Sequence, residues 1–296
     1  MRNSTLSSKS RTRLAFAALA GTLIAACSPP VPQLTGHART YSDAKDLFKR
    51  GRFEKTLDFT EELAEASPPN AFTERARVLR AVIFAGEMQG YQDQADAYGK
   101  GEHAVKNPEF QSEYRRQRSD NMEHWSRRAL SLAQVTRTLT KGGNLPKEVT
   151  LDAPYPDVQG PAVIPVLDRV ESGGQVSQDD EGSAALDAER KGIVDVLGEV
   201  SGTDPVSVRS KLMAGPLKLD GTEFILFLVR KGLEGARVFD SHHLEDPEKF
   251  RAVCGIFNDA LQAVHDTLKN NPNDAQEKEV KDLEAKLKTM TKKQPL

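Results

Sequence analysis

The chain has 296 residues, with 41 basic and 43 acidic side chains. A balance this close to neutral, with no basic cluster, excludes a nucleic-acid ligand and a polybasic membrane patch. The length allows two modest domains or one elongated helical array.

Residues 1–13 carry Arg2, Lys9, Arg11 and Arg13 and no acidic residue, and residues 14–26 read "LAFAALAGTLIAA". That apolar run is shorter than the roughly 20 residues a permanent membrane helix needs. A basic start, a short apolar core and a small-residue ending describe a signal peptide over 1–26. The ending Ile24-Ala25-Ala26-Cys27 resembles the lipobox of bacterial lipoproteins. The resemblance implies cleavage of the Ala26–Cys27 bond, a diacylglyceryl group on the Cys27 thiol and acylation of the new N-terminus. Two or three acyl chains hold a protein stably in a bilayer, where one chain is marginal. Ser28, where an aspartate would favour the inner membrane in that family, implies delivery to the outer membrane of a diderm bacterium, facing the periplasm. Without the signal, 37 basic residues face 43 acidic ones. Residues 27–40, "CSPPVPQLTGHART", read as a lipidated, proline-rich tether.

From Tyr41 the pattern is helical. Ala44, Leu47 and Phe48 form one apolar stripe, Gly51 interrupts it, and Phe53, Leu57 and Leu63 continue on a second helix that stops at Pro68 and Pro69. The positions of Ala44, Leu47, Gly51, Phe53, Ala64 and Pro68 resemble a tetratricopeptide repeat, although Thr56 stands where that family has alanine. Leu57, Ala64 and Pro68 recur as Ala97, Ala104 and Pro108, which predicts a second, lengthened helix pair over 75–109. A third helical stretch, 110–139, places Trp125, Leu132, Val135 and Leu139 at helical spacing. Residues 41–139 are therefore expected to be a tetratricopeptide-like region.

Between 140 and 182 the composition turns to proline and glycine, with Gly142-Gly143 and Gly173-Gly174 near the ends, and the segment reads as an inter-domain connection carrying a short helix over 161–171. A second helical block follows over 183–296. Leu186, Ile193, Leu197 and Val200 fall on one helical side, and Asp204-Pro205 and Asp246-Pro247 mark helix starts. The apolar run Phe224–Val229 suits a buried strand by composition, but Asp220 with Glu223 three residues on is a capping-box signal and favours a helix. Val280, Leu283, Leu287 and Met290 make the stripe of a last helix that closes the array. The expected fold class is all-α, as stacked antiparallel helix pairs followed by a second helical block.

Motifs of enzymes are missing from the sequence: there is no His-Glu-x-x-His, nucleophile elbow, phosphate loop or dinucleotide fingerprint. His242 and His243 are weak metal candidates, since neighbouring residues on a helix diverge by about 100° and only a loop would aim both at one ion. Cys254 sits among Val253, Ile256 and Phe257 and reads as a buried, inert thiol. No catalytic residue, metal or cofactor is assigned. The family resemblances imply a non-enzymatic, outer-membrane-anchored scaffold or adaptor that binds envelope proteins. The alternative is a small-molecule-binding lipoprotein that works with a transporter, with the run from Phe224 lining its pocket.

Overall fold

The computed structural model describes residues 35–143, 145–156, 163–174 and 177–293. The signal segment, the lipobox with Cys27 and most of the tether lie outside the described residues.

Helix α1 (Gly36–Lys49) and helix α2 (Phe53–Glu65) form a hairpin. It closes at Gly51, whose φ of +68° is the left-handed backbone that glycine adopts without a Cβ penalty. Ala44 and Phe48 of α1 and Phe53, Leu57 and Leu63 of α2 are buried, as their spacing predicts, whereas Leu47 of the predicted stripe is only half-buried and Tyr41 is buried as well. Helix α1 begins at Gly36, so the last five residues assigned to the tether are helical.

Where the sequence predicts a second helix pair over 75–109, the chain forms one helix, α3 (Thr73–Ala104), followed by a helix of equal length, α4 (Pro108–Leu139). Each has 32 residues, about 48 Å at 1.5 Å per residue. The glycines of α3 serve as contact points. A Cβ on Gly86 would come within 2.5 Å of the Ile193 Cα, and one on Gly90 within 2.7 Å of the Ala188 carbonyl oxygen. Both contacts belong to helix α6 (Gln178–Val200), which crosses α3 at its Gly192. Pro108 at the first turn and the Asn107 side chain, which accepts from the Glu109 N–H, start α4 afresh.

Gly36–Leu296 forms one compact unit, and the described residues of the 140–182 segment pack within it. Strand β1 (Glu148–Leu151) pairs antiparallel with β2 (Leu217–Asp220), Glu148 opposite Asp220 and Leu151 opposite Leu217. Asp152 then ties the segment to the first helices. Its carboxylate sits 2.8 Å from Lys45 Nζ and 3.3 Å from Arg75 Nη1, and its carbonyl accepts from the Tyr41 hydroxyl at 2.9 Å. Helix α5 (Val163–Glu171) supplies Val170 to a small separate core with Tyr98, Val105 and Tyr114.

Helices α7 (Pro205–Ala214), α8 (Gly221–Gly235), α9 (Pro247–Asn270) and α10 (Asp274–Lys293) complete the unit. Phe224–Val229 is helical, within α8, and the Asp220 side chain accepts from the Glu223 N–H as the capping signal requires. The main core runs without interruption from Tyr41 to Leu287, with Trp125, Phe224, Phe227, Phe239 and Phe257 fully buried in it. The stripe of α10 belongs to this core, through Val280, Leu283 and Leu287. Leu186 is the misfit of the predicted stripe of α6: it is 49% exposed, while Ile193 and Leu197 are fully buried. The protein is mostly helical, with one two-stranded ribbon among the described residues. Among those residues no helix is long and apolar enough to cross a membrane.

Candidate functional site

Two open grooves flank the second half of α4. The first, about 520 Å³, lies between α4 and the α2–α3 pair. Ala64, Phe84, Leu130 and Val135 provide its apolar surface, and Glu65, Arg77, Arg80, Ser131, Gln134 and Thr138 its polar one. The second, about 640 Å³, lies between α4 and α9 and is lined by Arg137, Lys141, Asp259 and Asp266 among others. Gln134 and Thr138 border both grooves, so the outer ridge of α4 separates two halves of one surface. From His124 to Lys141 the chain has no acidic residue; Arg127, Arg137 and Lys141 are exposed, and Arg128 turns inward.

Helix α3 presents the two arginines of the first groove one turn apart, on the side that faces α2. Arg77 Nε donates to the Ala64 carbonyl at 2.8 Å, and Arg80 Nη1 to the Leu57 carbonyl at 2.5 Å. Arg80 lies over the Phe84 ring at 5.3 Å, a cation–π arrangement that fixes the guanidinium further. Burial pulls the Arg80 pKa down, against the more distant pull of Glu61, Glu65 and Asp58 on α2.

Beneath the groove, Phe84 also meets Arg128, whose guanidinium lies 5.8 Å from its ring centre. Arg128 joins two carboxylates: Glu87 of α3, 2.7 Å from its Nε, and Glu54 of α2. Glu87 has no exposed surface, and burial pushes its carboxyl up to about 8, against the opposing field of Arg128. Next to it, the Tyr91 hydroxyl donates to Glu189 Oε1 at 2.9 Å, and the Tyr91 ring stacks on His124. Burial raises the Glu189 carboxyl as well. Four helices, α2, α3, α4 and α6, thus meet over one ionic cluster.

The residues singled out in the sequence lie elsewhere. His243 is half-buried, with its Nδ1 2.7 Å from Asp240 Oδ1 and its ring edge-on to Trp125. His242 is exposed and uses its backbone N–H to reach the same aspartate. Among the described residues no group of three His, Cys, Asp or Glu side chains is placed to hold a metal ion. Cys254 is 4% exposed, and burial pushes its thiol up to about 12. The run from Phe224 packs into the core, and only Phe224 and Phe227 reach a surface depression of about 220 Å³.

Sequence reasoning missed Arg77, Arg80, Glu87 and Arg128. The available signal was a charged residue inside an apolar stretch, in "RARVLRAVIFAGEM". Charges placed so are expensive to bury and need a partner or a task. Compared with known proteins, the chain matches no family model, no curated protein and no solved structure.

Proposed function

We propose that the protein is a lipid-anchored adaptor of the bacterial outer membrane, facing the periplasm, which binds another envelope protein along α4 and catalyses no reaction. The anchor rests on Ile24-Ala25-Ala26-Cys27 and on the basic and apolar segments before it. The α1–α2 hairpin is the one part with tetratricopeptide-like spacing, and α3 and α4 extend it as single long helices.

The adaptor role is carried by one observation, the open surface on both sides of the α4 ridge, built from α2, α3, α4 and α9. A helical ridge with apolar walls and exposed polar groups suits a peptide or helix laid along it. The test is in-cell crosslinking of the tagged, lipidated protein, followed by mass spectrometry of the solubilised membrane fraction. One dominant envelope protein is the expected product. Recovery of the protein alone, with thermal stabilisation by a metabolite extract, would replace the adaptor with a small-molecule-binding lipoprotein.

A further inference from the structure

The ribbon leaves the outer edge of β2 unpaired. The Gly221 N–H donates to the Lys147 carbonyl, in the same register that sets Val149 opposite Leu219 and Leu151 opposite Leu217. Antiparallel hydrogen bonds fall on alternate pairs, so Leu217 and Leu219 spend their backbone groups on β1. Lys218 and Asp220 then aim theirs outward. Among the described residues the Lys218 N–H and C=O and the Asp220 N–H meet no partner. Burial agrees: Val149 and Leu151 have no exposed surface, whereas Leu219 and Leu217 opposite them are only half-buried. An edge of this kind is a template for one more strand. Just before it in the chain, Met213 is 76% exposed, the most of any large apolar side chain among the described residues.

We infer that this edge pairs with the same edge of a second copy, antiparallel and with Leu219 facing Leu219 across a two-fold axis, to make a four-stranded sheet. In that register the edge is charge-complementary to itself. Each Lys218 stands opposite Asp220 of the second copy, and the two exchange the outward backbone hydrogen bonds. The neighbouring registers, centred on Lys218 or on Asp220, set like charges opposite each other and are disfavoured. Asp220 Oδ1 accepts from the Glu223 N–H and from Gln276 Nε2, which leaves Oδ2 for the incoming lysine. Lys218 Nζ donates to Glu148 Oε1 and keeps its other donors. Pro216, which has no N–H to offer, falls outside the paired residues. The depression of about 220 Å³ lined by Leu219, Phe224 and Phe227 opens beside the axis and receives Leu219 of the second copy. This self-pairing goes beyond the adaptor reading and does not depend on it.

The test puts one new cysteine into the full-length chain, oxidises it in the cells that make it and reads a non-reducing gel. Leu219→Cys should give a covalent dimer that the parent chain lacks. Facing residues of a non-hydrogen-bonded pair lie about 4.5 Å apart at Cα, within disulfide reach. Leu217→Cys points to the same face but is displaced from its counterpart by about 14 Å along the strand, and should give at least about tenfold less. Sedimentation of the purified parent chain across the micromolar range should show a dimer. Lys218→Glu, at an exposed site, turns two opposite-charge pairs into like-charge pairs and should weaken that dimer about tenfold. Lys218→Pro removes an outward N–H and no bond to β1, and should abolish it. Should Lys218→Pro fail to fold, Lys218→Glu decides alone. A monomer at every concentration, a dimer indifferent to charge at Lys218, or equal disulfide yields from Leu217→Cys and Leu219→Cys overturns the inference. None of these results touches the adaptor reading, which in-cell crosslinking to envelope proteins tests by itself.

Discussion

Arg128 Nε lies 2.7 Å from Glu87 Oε2, and the glutamate has no exposed surface at all. Two forces oppose each other at this pair. Burial favours the neutral carboxylic acid, and the guanidinium favours the carboxylate; burial is the larger. Arg128 keeps its charge because the fields of Glu87 and Glu54 outweigh its own burial.

A pH-dependent stability follows. Glu87 titrates at about 8 in the fold, against an ordinary value of 4.5. Between those values the native state holds a proton that the unfolded chain has released. Its contribution is thus fully present below about pH 4.5 and is lost as pH rises through about 8, at about 1.4 kcal/mol per pH unit within the window. Glu87→Gln keeps the neutral shape, so its unfolding free energy should fall less steeply with pH across this range. Urea unfolding of both proteins at pH 5, 7 and 9 measures the difference. Parallel pH curves would mean that Glu87 is already ionised in the native protein.

The crossing of α3 and α6 depends on missing side chains. A Cβ on Gly192 would strike the Gly86 carbonyl oxygen, so the two backbones can approach only as glycines. Gly192→Ala should cost about 3 kcal/mol or more, through overpacking against backbone that cannot yield. Gly255→Ala, on the exposed side of α9 with nothing within 4 Å, should instead stabilise by about 1 kcal/mol. Denaturant midpoints of the two variants should move in opposite directions.

These glycines also show why the sequence was misleading there. Gly86, Gly90 and Gly101 lie along one helix, yet the space each leaves is filled by α6 or α5, which lie far along the chain. Periodicity reads what a helix buries and not what it is buried against. Local signals did better: Asp220 and Glu223 marked the start of α8, and the positions of Phe48, Phe53 and Trp125 marked the core. The β1–β2 ribbon joins Leu151 to Leu217 across three intervening helices, and no local pattern announces such a partner. The candidate site was illegible for the same reason. Arg77 and Arg80 sit in one helix, but the groove they line is completed by α2 and α4.

Asp152 holds the β1 side of the molecule to α1 and α3 through Lys45 and Arg75. Its carboxylate is mostly buried, while both cations are about one-third exposed or more. Asp152→Asn keeps the shape and removes the charge, leaving two cations side by side. The expected loss is about 2 kcal/mol, below that of a fully buried pair. Amide exchange over α1 should quicken in the variant, because the carboxylate is lost at the contact that anchors this helix. Unchanged exchange there would mean that the hydrophobic contacts of Tyr41 and Phe48 hold α1 alone.

The two cysteines allow the anchor and the core to be tested with one reagent. Cys254 is buried, and its thiol is pushed up to about 12, so at pH 8 it offers almost no thiolate and no access. In the native protein a thiol reagent at pH 8 should therefore modify nothing at position 254. Unfolding in denaturant releases that constraint and should expose one thiol per chain. If Cys27 bears a diacylglyceryl thioether, it contributes none, and the count in denaturant stays at one for protein purified from membranes. Replacing Cys254 by alanine should then bring the count to zero. A count of two for the parent protein, or one for the Cys254→Ala variant, would mean that Cys27 is a free thiol, and the lipid anchor would have to be abandoned.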